Sequence, residues 1–335
     1  MNNYNIDSKQ ESVLLNLLKL YGKEWEKYEK LFSGQIDHWS EHILNFYLRH
    51  NFLNDVVLAG NLEHIKILKE YEFVWSEFTF ANAVKSGNLE NIKWLKDNGC
   101  PWSDRTFTEA IKKGEFEIIE WLKENKCPWS VKTSAKACEM VSNLISTTSD
   151  DSFYLVKWLK ANGCPFNEES FNVSVTNCNL QLMKWLKNNN CPLTSWTLVY
   201  GIKTGKLEIV IWLKENGCSL SKHAFIEAIV INNMDIIKWL KNNDCPWDET
   251  VFAKAALLGN LEIMIWLKKN GCPLNSQLSI NKSLVFDCAV QNGNLLNMIW
   301  LKENGCNWSK KTYALALLSR DLRNVKWLEN NGCPQ

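Results

Sequence analysis

An all-α chain built from about ten stacked helix pairs is what this sequence predicts, and three regularities carry that expectation. The pair Trp-Leu recurs at Trp94, Trp121, Trp158, Trp185, Trp212, Trp239, Trp266, Trp300 and Trp327. Counted from a weaker copy at Ile67-Leu68, the successive gaps are 27, 27, 37, 27, 27, 27, 27, 34 and 27 residues. A cysteine follows six residues after each Trp, from Cys100 to Cys333, and all seven prolines follow one of these cysteines. A strict period of this size is the mark of a repeat array.

Each copy reads as two helices. In the copy ending at Gly99, Leu89, Ile92 and Leu95 lie three apart on one face, Trp94 widens that stripe, and Glu90, Lys93, Lys96 and Asp97 face water. Asn98-Gly99 is a helix stop, because an αL residue closes the last turn without a Cβ clash. Pro101 then forbids continuation. The shorter first helix carries an aromatic and a small residue three apart, as in Phe80/Ala83, Phe107/Ala110, Phe225/Ala228, Phe252/Ala255, Phe286/Ala289 and Tyr313/Ala316. Large-then-small spacing lets one helix nest against the next copy. A lone pair of short helices cannot bury its apolar face, so the copies are expected to share one core as a curved α-solenoid.

Two copies depart from the period. Ten extra residues before Trp158 fall after Cys138, between the two helices of one copy, and seven before Trp300 fall ahead of Phe286. These place surface insertions at Glu139–Ser149 and Ser276–Lys282. Residues 1–50 lie outside the repeat and carry helical apolar spacing, which predicts a helical capping region ahead of an array over 51–335.

With these residues in view, "A-x-x-x-G-N-L-E-x-x-x-W-L-x-x-x-G-C" over Ala83–Cys100 resembles the ankyrin consensus "A-A-x-x-G-h-x-x-h-V-x-x-L-L-x-x-G-A". Trp takes a core Leu position and Cys takes the Ala after the glycine. The resemblance covers roughly residues 52–335. It departs from the family in its period, 27 instead of about 33, and in lacking "T-P-L-H". The missing residues fall where ankyrin repeats carry β-hairpin fingers, so shortened fingers are expected. What the resemblance implies is a non-enzymatic scaffold or adaptor with protein partners, in the cytoplasm.

Composition narrows the chemistry. Lys+Arg number 38 and Asp+Glu 37, and this balance predicts no nucleic-acid partner, since such binding rests on a basic face. No apolar run reaches the roughly 18–20 residues of a membrane span, and no signal peptide is visible, so no membrane role and a reducing compartment are expected. The evenly spaced thiols lack the C-x₂₋₄-C clustering of zinc sites. Copies about 8–10 Å apart also hold equivalent cysteines beyond disulfide reach. Each cysteine therefore reads as a small buried hydrophobe at a joint, and neither a metal nor another cofactor is expected.

The alternative reading is a zinc-dependent hydrolase. "HWSEH", His38 to His42, fits H-x-x-E-H, in which two histidines one turn apart bind zinc beside a glutamate base, here Glu41. It needs a third ligand and a cleft. No phosphate-binding glycine loop and no nucleophile elbow accompany it. The Trp ladder could serve as a stacking platform for single-stranded nucleic acid, but its neighbours Leu89, Ile92 and Leu95 predict core instead.

By the resemblance, partners dock on the exposed face of the first helices. The position before the small residue varies along the array and includes Glu109, Lys136, Tyr200, Glu227 and Lys254, with Trp196 one turn before Tyr200. These six are the expected partner-binding residues, the two aromatics as anchors.

Overall fold

The computed structural model describes residues 52–70, 73–143, 153–274, 283–319 and 321–335. The expected capping region over 1–50, the His38–His42 segment, residues 144–149 of the first insertion and all of Ser276–Lys282 lie outside the described residues. Among the described residues there are helices and no strand.

The chain divides into two compact units, Met1–Ser170 and Phe171–Gln335. In the first, the helix pairs are α1 (52–59) with α2 (Leu62–Glu70), α3 (Glu77–Ser86) with α4 (Leu89–Asp97), and α5 (Asp104–Lys113) with α6 (Phe116–Glu124). Its last pair is α7 (Val131–Asn143) with α8 (Tyr154–Ala161), and α9 (Glu168–Thr176) spans the division. The second unit continues with α10 (Leu180–Asn188), α11 (Ser195–Lys203), α12 (Leu207–Glu215), α13 (Lys222–Val230) and α14 (Met234–Asn242). It then carries α15 (Glu249–Leu258), α16 (Leu261–Lys269), α17 (Leu284–Asn292), α18 (Leu295–Glu303), α19 (Lys310–Ser319) and α20 (Leu322–Asn330). Odd-numbered helices are the first members of the pairs. The first insertion is helical in its opening residues, which lengthen α7 to Asn143.

Every letter of the repeat has a local cause. Three first helices start at a capping box: Ser76 with Thr79, Ser103 with Thr106, and Thr194 with Thr197 satisfy each other's backbone N–H groups. The threonines are buried, so the box also fixes which side faces the core. Second helices end in a Schellman turn. In α4 the Gly99 N–H donates to Lys96 O (3.1 Å) and the Cys100 N–H to Leu95 O (3.0 Å). Asn98 Nδ2 donates back to Trp94 O at 2.8 Å, and the equivalent asparagine does so in each copy from Asn125 to Asn331. The turn residue has positive φ: +78° at Gly99, and also +61° at Lys126, +58° at Asn190 and +55° at Asp244.

Between the ends, the predicted stripe is core. Ile92, Leu95, Ile119, Leu122, Ile237 and Leu240 are buried, and so are Phe80, Phe107, Phe225, Phe252 and Phe286 with their partner alanines. Each such side chain removed from water contributes about 1.5–3 kcal/mol before entropy is subtracted. Gly201 stands where other copies have alanine, and a Cβ there would lie 2.5 Å from Leu213 Cδ1. The Trp ladder is the exception to the expected core. Trp94, Trp121, Trp158, Trp185, Trp212, Trp239, Trp266, Trp300 and Trp327 are all half-buried. The indole precedes the stripe leucine by one residue, which places it at the border between core and water.

Candidate partner-binding faces

The thiols are the first chemistry to place. None of the twelve cysteines forms a disulfide, and the nine that follow the Trp ladder are buried. Their geometry shows what they do. Cys100 Sγ points at Ser76 O (3.7 Å), Cys127 at Ser103 O (3.7 Å), Cys245 at Ser221 O (3.3 Å) and Cys333 at Ser309 O (3.7 Å). Each thiol thus donates to the residue that opens its own helix pair. Burial pushes the thiols of Cys100, Cys127, Cys164, Cys245, Cys272 and Cys306 up to about 12 and that of Cys218 to about 11. A group held protonated is no nucleophile. Among the described residues, no three His, Cys, Asp or Glu side chains converge as metal ligands, and no helix is long and apolar enough to cross a membrane.

A second feature went unread in the sequence: the Trp two residues after the joint cysteine, in Cys-Pro-Trp and, at Trp308, Cys-Asn-Trp. Trp102 enters the pair α5/α6, with Phe80 of the preceding copy 5.2 Å away and Trp121 of its own copy at 6.1 Å. Trp129 sits likewise beside Phe107 (5.1 Å) and Trp158 (6.3 Å), Trp247 beside Phe225 (5.0 Å) and Trp266 (6.2 Å), and Trp308 beside Phe286 (5.3 Å) and Trp327 (6.0 Å). The lysine two residues after the ladder Trp covers the next such ring. Lys96 Nζ is 3.8 Å from the Trp102 centroid, Lys123 4.7 Å from Trp129, Lys241 4.4 Å from Trp247 and Lys302 3.4 Å from Trp308. Other lysines of this row reach the carbonyl end of the following second helix, as Lys187 does to Asn216 O at 2.8 Å. A cation suits the negative end of a helix. "W-L-K" is therefore a forward clasp between copies.

The third feature is the face of the first helices. Trp196 is exposed (56%) and Tyr200 borders on it (37%). Lys136, Glu227 and Lys254 are half-buried, and Glu109 departs from the expected exposed row, being 8% exposed. Glu109 turns into the space between helices, 2.8 Å from Lys112 Nζ and 4.0 Å from Lys85 Nζ. The exposed, variable row is instead the second residue of most first helices: Phe78, Arg105, Lys132, Glu169, Trp196, His223 and Lys311 are exposed. The capping-box spacing, which fixes where each helix starts, was the signal that marks it. In each unit this row pairs an aromatic with a nitrogen-bearing neighbour. The Arg105 guanidinium lies 4.4 Å over the Phe78 ring, and Trp196 stacks on His223 with centroids 5.1 Å apart. In the first unit the row borders a cleft of about 360 Å³ lined by Glu77, Asp104, Arg105, Glu109, Lys112 and Lys132.

No family model matches the chain, and no curated protein matches it. Among solved structures, the chain is similar to the pentatricopeptide repeat protein PPR10 in complex with an 18-nt psaJ RNA element, with TM-score 0.40, 11% identity and 97% of the chain covered. A form of that complex with cysteines replaced by serine gives the same values, and PPR10 from maize gives TM-score 0.31, 10% identity and 84% coverage. The chain spans 59% and 53% of the length of those proteins. These structures are of pentatricopeptide repeat proteins, and the expected ankyrin-specific resemblance is not shown by them. Two of these structures hold RNA, and with them the expectation of no nucleic-acid partner is withdrawn. Its premise was a charge sum, and a sum over the whole surface says nothing about where the lysines stand.

Proposed function

We infer that the chain is a non-enzymatic scaffold that captures a protein partner on the face of its first helices. The observation that carries this reading is the exposed second position of those helices. It changes chemistry from copy to copy, through Phe78, Arg105, Lys132, Glu169, Trp196 and His223, while the surrounding residues repeat. A regular array with one varied, exposed row concentrates discrimination in that row, and exposed Trp and Arg side chains are the favoured anchors of interfaces.

Placing a photo-crosslinking side chain at position 132 or 196 in the native cell tests it. Crosslinks to one protein from these positions, and none from Glu117 on a second helix, support the reading. Crosslinks to RNA from the same positions would replace the protein partner with nucleic acid. Crosslinks from Glu117 alone would put the interface on another side.

A further inference from the structure

The row of lysines that clasps the copies has a property its structural role does not use up. Lys96, Lys123 and Lys160 in the first unit, and Lys187, Lys241 and Lys302 in the second, hold an aromatic ring or a carbonyl and no carboxylate among the described residues. Among the described residues, the ion pairs that occur elsewhere involve Lys66, Lys85, Lys112, Lys113, Lys136, Lys222 and Arg323. A ring attracts an ammonium without cancelling its charge, and an ammonium with three donors keeps some to spare. Packed helices stand about 8–10 Å apart, which is about one screening length in physiological salt, so the fields of successive lysines add.

We propose that, in each unit, this lysine row with its half-buried indoles is a track for single-stranded nucleic acid. On binding, each ammonium leaves its ring for a phosphate, and the indole face it covered takes an unpaired base. Alternating cations and rings is the composition that sequence-tolerant single-strand binding requires. A duplex hides its bases from the rings, and an acidic peptide has phosphate-like charge without flat faces to lay on them. The track is carried by the second helices and their exits, so it is independent of the protein-binding face of the first helices.

The test is titration of the full chain with an oligouridine of about 20 nucleotides, read by tryptophan fluorescence and by anisotropy of a labelled strand. With the three lysines of one unit engaged, raising salt from about 50 to about 200 mM should weaken binding about 20-fold. Replacing Lys96, Lys123, Lys241 and Lys302 by Gln should cost tenfold or more, while Lys→Arg at the same positions keeps affinity. Acetylation footprinting needs no variant: the oligonucleotide should shield Lys96, Lys123, Lys241 and Lys302, and leave Lys85 and Lys112 as reactive as before. Absence of binding at low salt overturns the proposal. So does shielding of Lys85 and Lys112 alone, or polyglutamate binding as well as the oligouridine with tryptophan emission unchanged.

Discussion

Cys245 Sγ lies 3.3 Å from the carbonyl oxygen of Ser221, a residue 24 positions earlier that opens the same helix pair. The contact closes the pair on itself, and its equivalents recur at Cys100, Cys127, Cys164, Cys272 and Cys333. The cysteines are therefore joints, and their burial has a pH signature. An unfolded thiol titrates near 9.0, and burial moves six of these to about 12 in the fold. Raising pH through that window lets the unfolded chain release protons that the folded chain keeps. The thiol contribution is thus fully present below about pH 9 and lost toward pH 12, by about 1.4 kcal/mol per pH unit for each buried thiol. Melting temperature should fall steeply once pH rises above about 9, and less steeply in Cys245→Ala. Fast labelling of these thiols in folded protein at neutral pH would refute the burial.

The turn after each second helix makes a separate prediction. Lys126 adopts φ +61°, a region that costs a non-glycine residue about 1 kcal/mol or more. Lys126→Gly should stabilise the protein by about 1 kcal/mol, less the extra chain entropy that glycine gives the unfolded state. Chemical denaturation measures it, with Gly163→Lys as the mirror experiment of opposite sign.

Gly201 tests packing against propensity. Alanine is the better helix former by about 1 kcal/mol, yet the added methyl would meet Leu213 at 2.5 Å. Overpacking costs about 1–3 kcal/mol, so Gly201→Ala should destabilise on balance. Gly201→Ala combined with Leu213→Val should recover part of the loss, and additivity of the two changes would argue against the clash.

Trp247 and Trp212 should not behave alike. Both rings are half-buried, but Trp247 holds Phe225, Trp266 and Lys241 together at a joint between copies, whereas Trp212 meets Phe171 at 6.4 Å. Trp247→Ala is expected to cost about 3 kcal/mol and Trp212→Ala about 2, both at or under the range for buried tryptophans. Calorimetry of the two variants decides the order.

On the proposed protein-binding face, Trp196→Ala with Tyr200→Ala should weaken a captured partner by about 2 kcal/mol or more. Changing Glu117 and Glu120 on a second helix to Ala should matter little, as exposed charges usually do. Circular dichroism must show that both variants fold. Equal affinity for the aromatic variant would move the interface away from α11.

Much of the fold was legible because periodicity and helix stops are local. The period, the stripe of Ile92 and Leu95, the αL stop at Gly99 and the burial of the joint cysteines were all readable in the sequence. The half-burial of the Trp ladder was not, because periodicity gives the centre of a stripe more sharply than its border. Glu109 reads as exposed because it varies next to a small residue, but in the structure it is held by Lys112 of its own helix and faces Lys85 of α3. The lysine row escaped notice because its partners, the rings after Cys-Pro, come from the next copy, and Lys96 and Trp102 meet only once the copies are stacked.

The clasp and the thiol joint divide the work between them, one reaching forward to the following copy and the other staying at home. A 27-residue cassette cut from one clasped ring to the residue before the next, such as Trp75 to Pro101, therefore contains a complete joint between Ser76 and Cys100 and a single outstretched lysine, Lys96. Removing it would rejoin Lys69 to an equivalent ring, at the loss of the bond from Asn91 Nδ2 to Gly60 O, since the next copy has Ile118 in place of that asparagine. Duplicating it would likewise join lysine to ring. The array is in this sense spelled in whole words: its natural unit of gain or loss is the 27 residues from one clasped ring to the next.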